Sequence, residues 1–194
     1  MIALANLLMC LVIALAGGLG SAYYMISSGS PLTTRLIGPW QVWKEAGRVE
    51  ADPYTRAHFA MSGRLPAGSR TALYFMAARD SGGSPLVLNC DYTVSGVGPD
   101  AQWWTMSAYD AGGSLFANAA ERYSYNSASV MRAADGTFSI AVSREARPGN
   151  WLPVSGSGAY RILLSVYGLD GGDKPAQAKK DQAGLPEIRK GSCR

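Results

Sequence analysis

The chain opens with one long hydrophobic segment. From Ile2 to Ile26 there is no charged side chain, and about 20 apolar residues are enough for a helix to cross the hydrocarbon core of a bilayer. Tyr23 and Tyr24 come at the far end of the segment, where aromatic residues of the membrane interface are expected. The pattern predicts a single-pass transmembrane anchor over residues 1–26.

A cleavable signal peptide is the alternative interpretation of this segment. Small residues from Ala14 to Ala16 precede Gly17, but no basic residue precedes the apolar run, which also continues well past that point. Signal peptides usually begin with a basic stretch. Cys10 lacks the small residue that comes just before a lipoprotein cleavage site. We therefore interpret the segment as a retained anchor, followed by a juxtamembrane spacer over residues 27–37.

Apolar and polar positions alternate with a period of two through most of the remaining chain, which is typical of half-buried strands. One helix interrupts them, because Asp52 and Pro53 form a helix start and Gly63 fits its end. The predicted strands cover residues 40–43, 71–78, 86–95, 103–109, 137–143 and 159–167.

Turn residues separate the predicted strands. Asp110-Ala111-Gly112-Gly113 and Asp135-Gly136 are hairpin signals. Several short strands with a single helix predict a mainly β domain, an antiparallel β-sandwich or jelly-roll-like fold, over residues 38–169. A polar tail over residues 170–194 follows, and we expect Leu185–Arg189 within it to dock as an edge strand near Cys90.

Charge and cysteine content refine the picture. The net charge is +4 and the basic residues are scattered, so the sequence does not predict a nucleic-acid partner. Cys90 and Cys193 are a candidate disulfide, although only geometry decides whether they pair. A disulfide favours an oxidising compartment, whereas the basic residues after the anchor weakly favour a cytoplasmic domain. We favour an inner-membrane protein with a periplasmic domain.

Catalytic chemistry finds little support in the sequence. A zinc site needs three or four ligands, and His58 is the only histidine, so neither a metal site nor a cofactor is predicted. No Gly-x-Ser-x-Gly segment occupies a strand-to-helix turn. Asp91 and Asp110 could act as paired carboxylates, but an Asp beside Gly112 more readily caps its own turn. The catalytic residues are unknown.

Aromatic side chains give the best hint of function. Alternation places Trp103 and Trp104 on opposite faces of one strand, so both can be buried only if both faces are covered. Exposed aromatic residues suit a sugar ring, a peptide or a partner protein, while packing in the core is the alternative. The candidate ligand- or partner-binding residues are Trp103, Tyr109, Arg56, His58, Asn126 and Trp151.

Six phrases in fixed order carry a family resemblance. They are Gly38-Pro39-Trp40, residues 52–58, Cys90-Asp91-Tyr92, residues 103–110, residues 122–126 and residues 149–153. Together they resemble domain-of-unknown-function family 1214 from about Gly38 to Tyr167. The resemblance implies a mainly β, jelly-roll-like domain and a companion protein of family 1254. Small members with a membrane segment look like bacterial envelope proteins, and the family implies no activity.

These observations favour a non-enzymatic envelope protein that uses a tethered β domain for interaction or assembly. A carbohydrate- or small-ligand-binding module centred on Trp103 and Tyr109 is the second hypothesis. A hydrolase that uses Asp91, Asp110 or His58 is the third.

Overall fold

A computed structural model describes residues 2–69, 71–168 and 184–194. The chain divides into two compact units. The juxtamembrane unit comprises Met1–Arg35 and Trp43–Pro66, and the sandwich unit comprises Leu36–Val42 and Ala67–Arg194. Much of the predicted polar tail, residues 169–183, lies outside the described residues.

The juxtamembrane unit contains the helices α1 (Ile2–Ser28) and α2 (Pro53–Met61). No side chain of α1 is buried, and the helix is long and apolar enough to span a membrane. The start of α2 is where the sequence predicts it, because the Asp52 carboxylate accepts the backbone N–H groups of Tyr54 and Thr55 at 2.9 and 3.0 Å. Burial acts to raise the pKa of Asp52, but these bonds and the Thr55 hydroxyl lower it further than burial raises it.

The described residues form ten strands in two sheets over one shared core, which confirms a mainly β fold. The six-stranded sheet has the order β1-β2-β3-β9-β5-β6, and the four-stranded sheet has the order β10-β4-β7-β8. The strands are β1 (Thr34–Ile37), β2 (Trp40–Trp43), β3 (Ala72–Ala77), β4 (Cys90–Gly96), β5 (Trp103–Asp110), β6 (Ser124–Asn126), β7 (Phe138–Ser143), β8 (Asn150–Pro153), β9 (Tyr160–Tyr167) and β10 (Glu187–Cys193).

The four-stranded sheet departs from the predicted antiparallel arrangement at one edge. β7 and β8 pair in parallel, with Ile140 opposite Asn150 and Ser143 opposite Pro153. The link over residues 144–149 therefore runs back along the sheet instead of turning as a hairpin. A chain of that length spans up to roughly 20 Å when extended, which is enough for so short a pairing.

One predicted strand begins later than the alternation suggests. Residues 88 and 89 form a turn, and β4 starts only at Cys90. The Tyr92 hydroxyl holds the preceding segment, because it donates to the Pro85 carbonyl at 3.2 Å and accepts the Val87 N–H at 3.1 Å. Leu86 is nevertheless buried in the core. The alternation therefore predicted the burial of Leu86 correctly, although this residue does not belong to β4.

The core lies between the inner faces of the two sheets. Trp104 and Met106 of β5 are buried with Phe138 and Ile140 of β7, and the Trp104 and Phe138 rings lie 5.1 Å apart. Gly98 approaches this pair so closely that a Cβ atom would meet the Trp104 indole nitrogen at 3.1 Å. Its φ of +93° adds a second reason for glycine at this position.

Strand β10 closes the four-stranded sheet by pairing with β4, as expected for the end of the tail. Ile188 is fully buried in the core, and its backbone N–H and C=O bond to Ser81 at 2.9 and 2.8 Å. The buried Trp40 indole N–H donates to the Pro186 carbonyl at 2.8 Å. The chain from 185 to 193 is therefore an integral part of the sandwich.

Two buried tyrosines in contact differ in how their hydroxyl groups are satisfied. The Tyr92 and Tyr160 rings meet edge to face at 5.9 Å. Tyr92 bonds to two backbone groups, whereas the Tyr160 hydroxyl is buried without a hydrogen-bond partner among the residues described. Burial therefore raises the pKa of Tyr160 well above its usual value, and the side chain stays neutral.

This difference gives a stability prediction. We expect Tyr160→Phe to leave the free energy of unfolding unchanged or to raise it by up to ~2 kcal/mol, because an unsatisfied buried hydroxyl is removed. Tyr92→Phe is the matched control and should lower it by about 1–3 kcal/mol, because the Val87 N–H loses its acceptor. Denaturant unfolding of the full-length protein in detergent, followed by near-UV circular dichroism, measures both. A larger loss for Tyr160→Phe than for Tyr92→Phe contradicts the assignment.

Candidate functional site

The outer face of the six-stranded sheet carries three of the predicted site residues. Trp103 and Tyr109 alternate with the buried side chains of β5, and Asn126 of β6 pairs with Thr105. Trp103 is 39% exposed. Trp103 and Tyr109 lie six positions apart, a separation of roughly 20 Å along a strand. They stand at opposite ends of β5 and do not form one pocket.

Neighbouring strands enlarge the aromatic surface around Trp103. Tyr167 of β9 lies directly opposite Trp103, and Tyr74 of β3 lies opposite Ser165, two positions further along β9 on the same face. Met76 and Leu163 continue that face as a cross-strand pair. All four neighbours are half-buried. We call this surface the outer aromatic face, defined by Tyr74, Met76, Trp103, Leu163 and Tyr167.

The corresponding face of the four-stranded sheet is mostly polar. It presents Asp91, Thr93 and Ser95 from β4 and Ser139 from β7, and Arg189 of β10 lies opposite Thr93. One aromatic side chain, the half-buried Trp151, lies opposite Ala141 at the β8 edge of this face. The two outer faces of the sandwich unit therefore differ in chemistry, because aromatic side chains from three strands gather on one face and polar side chains predominate on the other. Interface centres are enriched in Tyr, Trp and Met and depleted of charge, so the aromatic face is the better candidate for contact with another protein.

A groove of about 920 Å³ lies along the polar face, with Arg132, Asn150, Glu187 and Arg189 among its lining residues. These side chains bond within the protein. The Asn150 amide donates to the Met131 and Ser139 carbonyls at 2.8 and 2.9 Å and accepts the Met131 N–H at 2.8 Å. The Arg132 guanidinium donates to two backbone carbonyls at 2.7 Å, and Arg189 pairs with Glu187. The groove is held together by these bonds.

Asn126 and Trp151 have structural roles of the same kind. The Asn126 side-chain oxygen accepts the N–H groups of Ala128 and Ser129 at 3.0 and 2.8 Å, which fixes the turn after β6. The Trp151 indole N–H donates to the Ser143 carbonyl at 3.0 Å, and its backbone N–H donates to the Tyr125 hydroxyl at 2.9 Å. Trp151 belongs to β8 of the other sheet, apart from Trp103 and Tyr109.

Arg56 and His58 lie on α2 in the juxtamembrane unit, not in the sandwich unit. The His58 Nδ1 is 2.7 Å from the Ile26 carbonyl near the end of α1. Its ring stacks on Trp43, with centroids 4.1 Å apart, and meets Phe59 edge to face at 5.2 Å. Arg56 is exposed. Within the sandwich unit, Trp103, Tyr109 and Asn126 lie on the six-stranded sheet and Trp151 on the four-stranded sheet, so these four do not form one site.

The two carboxylates considered for acid–base chemistry belong to different sheets. Asp91 of β4 forms an ion pair with Arg147 at 2.5 Å. Asp110 closes β5 and accepts the Ser114 N–H at 2.8 Å, as predicted for a turn cap. Neither lines the groove, and His58 belongs to the other unit. Within residues 2–69, 71–168 and 184–194, no three His, Cys, Asp or Glu side chains cluster as a metal ion requires.

A disulfide joins Cys90 and Cys193, the candidate pair, which lie 103 positions apart in the sequence. It connects β4 to the last residue of β10. Cys10 of α1 is a free and exposed thiol.

The described residues define a β-sandwich, preceded by a helix able to span a membrane, with an aromatic outer face on the six-stranded sheet. The chain belongs to the family described as Protein of unknown function (DUF1214), whose model matches residues 71–170. The matched region begins just before β3 and covers all strands from β3 to β9.

Two solved structures are similar to the chain. The crystal structure of the VPA0106 protein from Vibrio parahaemolyticus matches with a TM-score of 0.58 and 22% identity, over 74% of this chain and 36% of that one. A putative uncharacterized protein from Burkholderia cenocepacia matches with a TM-score of 0.44 and 18% identity, over 64% of this chain and 30% of that one. The chain thus spans about a third of the length of these proteins. No curated protein matches.

The sequence indicated part of the outer aromatic face and missed the rest. Alternation along β5 correctly separates Trp103 from Trp104. Tyr74, Met76, Leu163 and Tyr167 were missed because strand order, which brings β3 and β9 beside β5, cannot be obtained from periodicity. Apolar residues on both faces of β9 were an available signal, since a strand with one solvated face alternates more cleanly.

The two adjacent tryptophans provide a direct test of this arrangement. We expect Trp104→Ala to lower the free energy of unfolding by about 3–5 kcal/mol, because a fully buried aromatic side chain leaves a cavity. Trp103→Ala should cost about 1 kcal/mol or less, because the side chain lies on an outer face. Thermal or denaturant unfolding of both full-length variants in detergent compares them. Equal losses contradict the assignment of opposite faces.

Proposed function

We propose that this protein is a single-pass inner-membrane protein of the bacterial envelope, with a periplasmic β-sandwich that acts as a non-enzymatic interaction module. The disulfide between Cys90 and Cys193 is the observation that supports a periplasmic location of the domain. Disulfides persist in oxidising compartments and are rare in the cytosol. The helix α1 supplies the anchor. The disulfide outweighs the weak bias from the basic residues after α1, because folded domains translocate largely regardless of nearby charge.

A count of reactive thiols in intact cells tests the placement. We expect one thiol, that of Cys10, to react with a maleimide-polyethylene glycol reagent after acid quenching and denaturation of a bacterial expression host, and all three after reduction. The physical reason is that an oxidised Cys90–Cys193 pair has no thiolate to react. The gel shift of the full-length protein reports the number. A Cys10→Ser variant is the control and should show no shift before reduction. Three reactive thiols without reduction contradict a periplasmic domain.

The interaction role is supported by the outer aromatic face. Trp and Tyr offer large contact area at small entropic cost and are enriched at the energetic centres of interfaces. Trp103 is the most exposed residue of that face. The companion that the family resemblance implies, a protein of family 1254, is the first partner to examine. The separation of Trp103 from Tyr109 along β5 disfavours a pocket for a single sugar ring that both would line.

The side chains that a hydrolase would need have other roles. Asp91 is paired with Arg147, and Asp110 caps a turn. A shared pocket with perturbed titration is the signature of an acid–base site, and the groove on the polar face contains neither of these residues. These contacts favour interaction over hydrolysis.

Site-specific photo-crosslinking tests the interaction role. A photoreactive phenylalanine analogue replaces Trp103 on the outer aromatic face, or Thr93 on the polar face as the control, in the full-length protein in its native membrane. We expect one protein partner to cross-link from position 103 at a yield about tenfold above position 93, because interface centres are aromatic and desolvated. Mass spectrometry identifies the partner. Equal yields from both positions, or no protein adduct from position 103, would contradict the proposal.

A further inference from the structure

The length of α1 bears on where its ends lie in a bilayer. At 1.5 Å per residue, the 27 residues of α1 make a helix of about 40 Å, whereas the hydrocarbon core is about 30 Å thick. A spanning helix of this length has residues to spare for the headgroup layer. Tyr23 and Tyr24 are exposed near its last residue, which suits the aromatic belt of a membrane interface and favours that end as the one that reaches the headgroups.

The helix α2 is attached to this part of α1. The last four carbonyl groups of a helix have no partner within it, and the Ile26 carbonyl is bonded by the His58 ring at 2.7 Å. Trp43 stacks on the His58 ring. The intervening segment is also fixed, because the Lys44 ammonium donates to the carbonyls of Pro31 and Leu32 at 2.6 and 3.2 Å. Since all these residues belong to one compact unit, α2 is held beside the end of α1.

Exposed apolar side chains lie on α2 and in the loops beside it. Tyr54 and Met61 lie seven residues apart, about two turns, so they share one side of the helix. Met61 is 65% exposed. The flanking loops add more apolar surface, with Leu65 95% exposed and Val49 97% exposed. Exposed apolar side chains concentrated in one small unit indicate a surface that contacts something other than water.

The same unit carries more basic than acidic side chains. The segments of the unit outside α1 contain five basic residues and three acidic ones, which are Arg35, Lys44, Arg48, Arg56 and Arg64 against Glu45, Glu50 and Asp52. Two of the acidic side chains are engaged locally, because Asp52 caps α2 and Glu45 accepts the Asp52 N–H at 2.8 Å. A surface of Arg with exposed apolar residues is typical of segments that lie on anionic lipid.

We propose that α2 and its flanking loops form an interfacial collar that docks on the anionic lipid surface around α1. The collar is defined by Arg48, Val49, Arg56, Met61 and Leu65. Met61 and Leu65 enter the boundary between headgroups and acyl chains, and the arginines bind lipid phosphate groups. This inference rests on the anchoring role of α1 stated under the proposed function. In this arrangement α2 holds the end of α1 at the membrane surface.

Lipid quenching of a fluorophore on the collar tests the proposal. The full-length protein, with Cys10→Ser to remove the free thiol, receives Met61→Cys and is labelled with an environment-sensitive dye. Met131→Cys is the matched control, because Met131 is likewise a surface methionine, 58% exposed, on the sandwich unit. Each protein is reconstituted into nanodiscs of phosphatidylcholine with or without about a third of phosphatidylglycerol. Lipids that carry a quencher just below the headgroup report contact with the dye.

We expect quenching at position 61 to exceed that at position 131 by about threefold or more in the anionic nanodiscs, with a blue-shifted emission at position 61 only, because an interfacial apolar face enters the headgroup boundary. Arg48→Glu and Arg56→Glu together should reduce that difference, because anionic lipid then repels the collar. Equal quenching at both positions, or none at position 61 in protein that co-elutes with nanodiscs, overturns the collar but leaves the anchor intact. Protein that does not enter nanodiscs at all overturns the anchor and the collar together.

Discussion

The pairing of β10 with β4 is the contact on which the sandwich depends. β10 forms one edge of the four-stranded sheet, and Ile188 within it fills the core. The Cys90–Cys193 disulfide closes a loop of about 100 residues, a constraint on the unfolded chain that is worth roughly 4–5 kcal/mol in the chain-entropy treatment. The hydrogen bond from the Trp40 indole to the Pro186 carbonyl also holds the segment just before β10 in place. Without this strand, β4 would lose a neighbour and the core would lose a buried isoleucine.

The strand order of the two sheets also gives the two outer faces of the sandwich different chemistry. On the four-stranded side, β10 contributes Arg189 beside the polar residues of β4, so that side suits water. On the six-stranded side, β9 lies between β3 and β5 and brings Tyr167 beside Trp103. Tyrosine and tryptophan side chains placed together on an outer face favour contact over solvation. The proposed interaction role therefore follows from strand order as much as from composition.

The features that the sequence predicted correctly are those that depend on short-range interactions along the chain. The anchor, the Asp52 cap of α2, the Asp110 turn and the alternation through β5 and β9 all depend on residues close in sequence. Parallel pairing of β7 with β8 depends on where the link after Ser143 leads, and the late start of β4 depends on the Tyr92 hydroxyl, so neither could be predicted. The candidate site residues belong to different elements for a similar reason. Arg56, His58 and Trp151 were grouped by residue type, which does not tell where the fold places them.

The order of the strands along the chain has a consequence for biogenesis. β4 emerges early, but its partner β10 follows every other described strand. Through most of synthesis, one edge of β4 therefore has no strand to pair with, and an unpaired edge is a template for other chains. The Cys90 thiol has no native partner during that interval. The Cys90–Cys193 disulfide can form only after β10 has been synthesised. With the periplasmic placement proposed above, such a domain would depend on chaperones and thiol oxidants that act late, after its last strand has crossed the membrane.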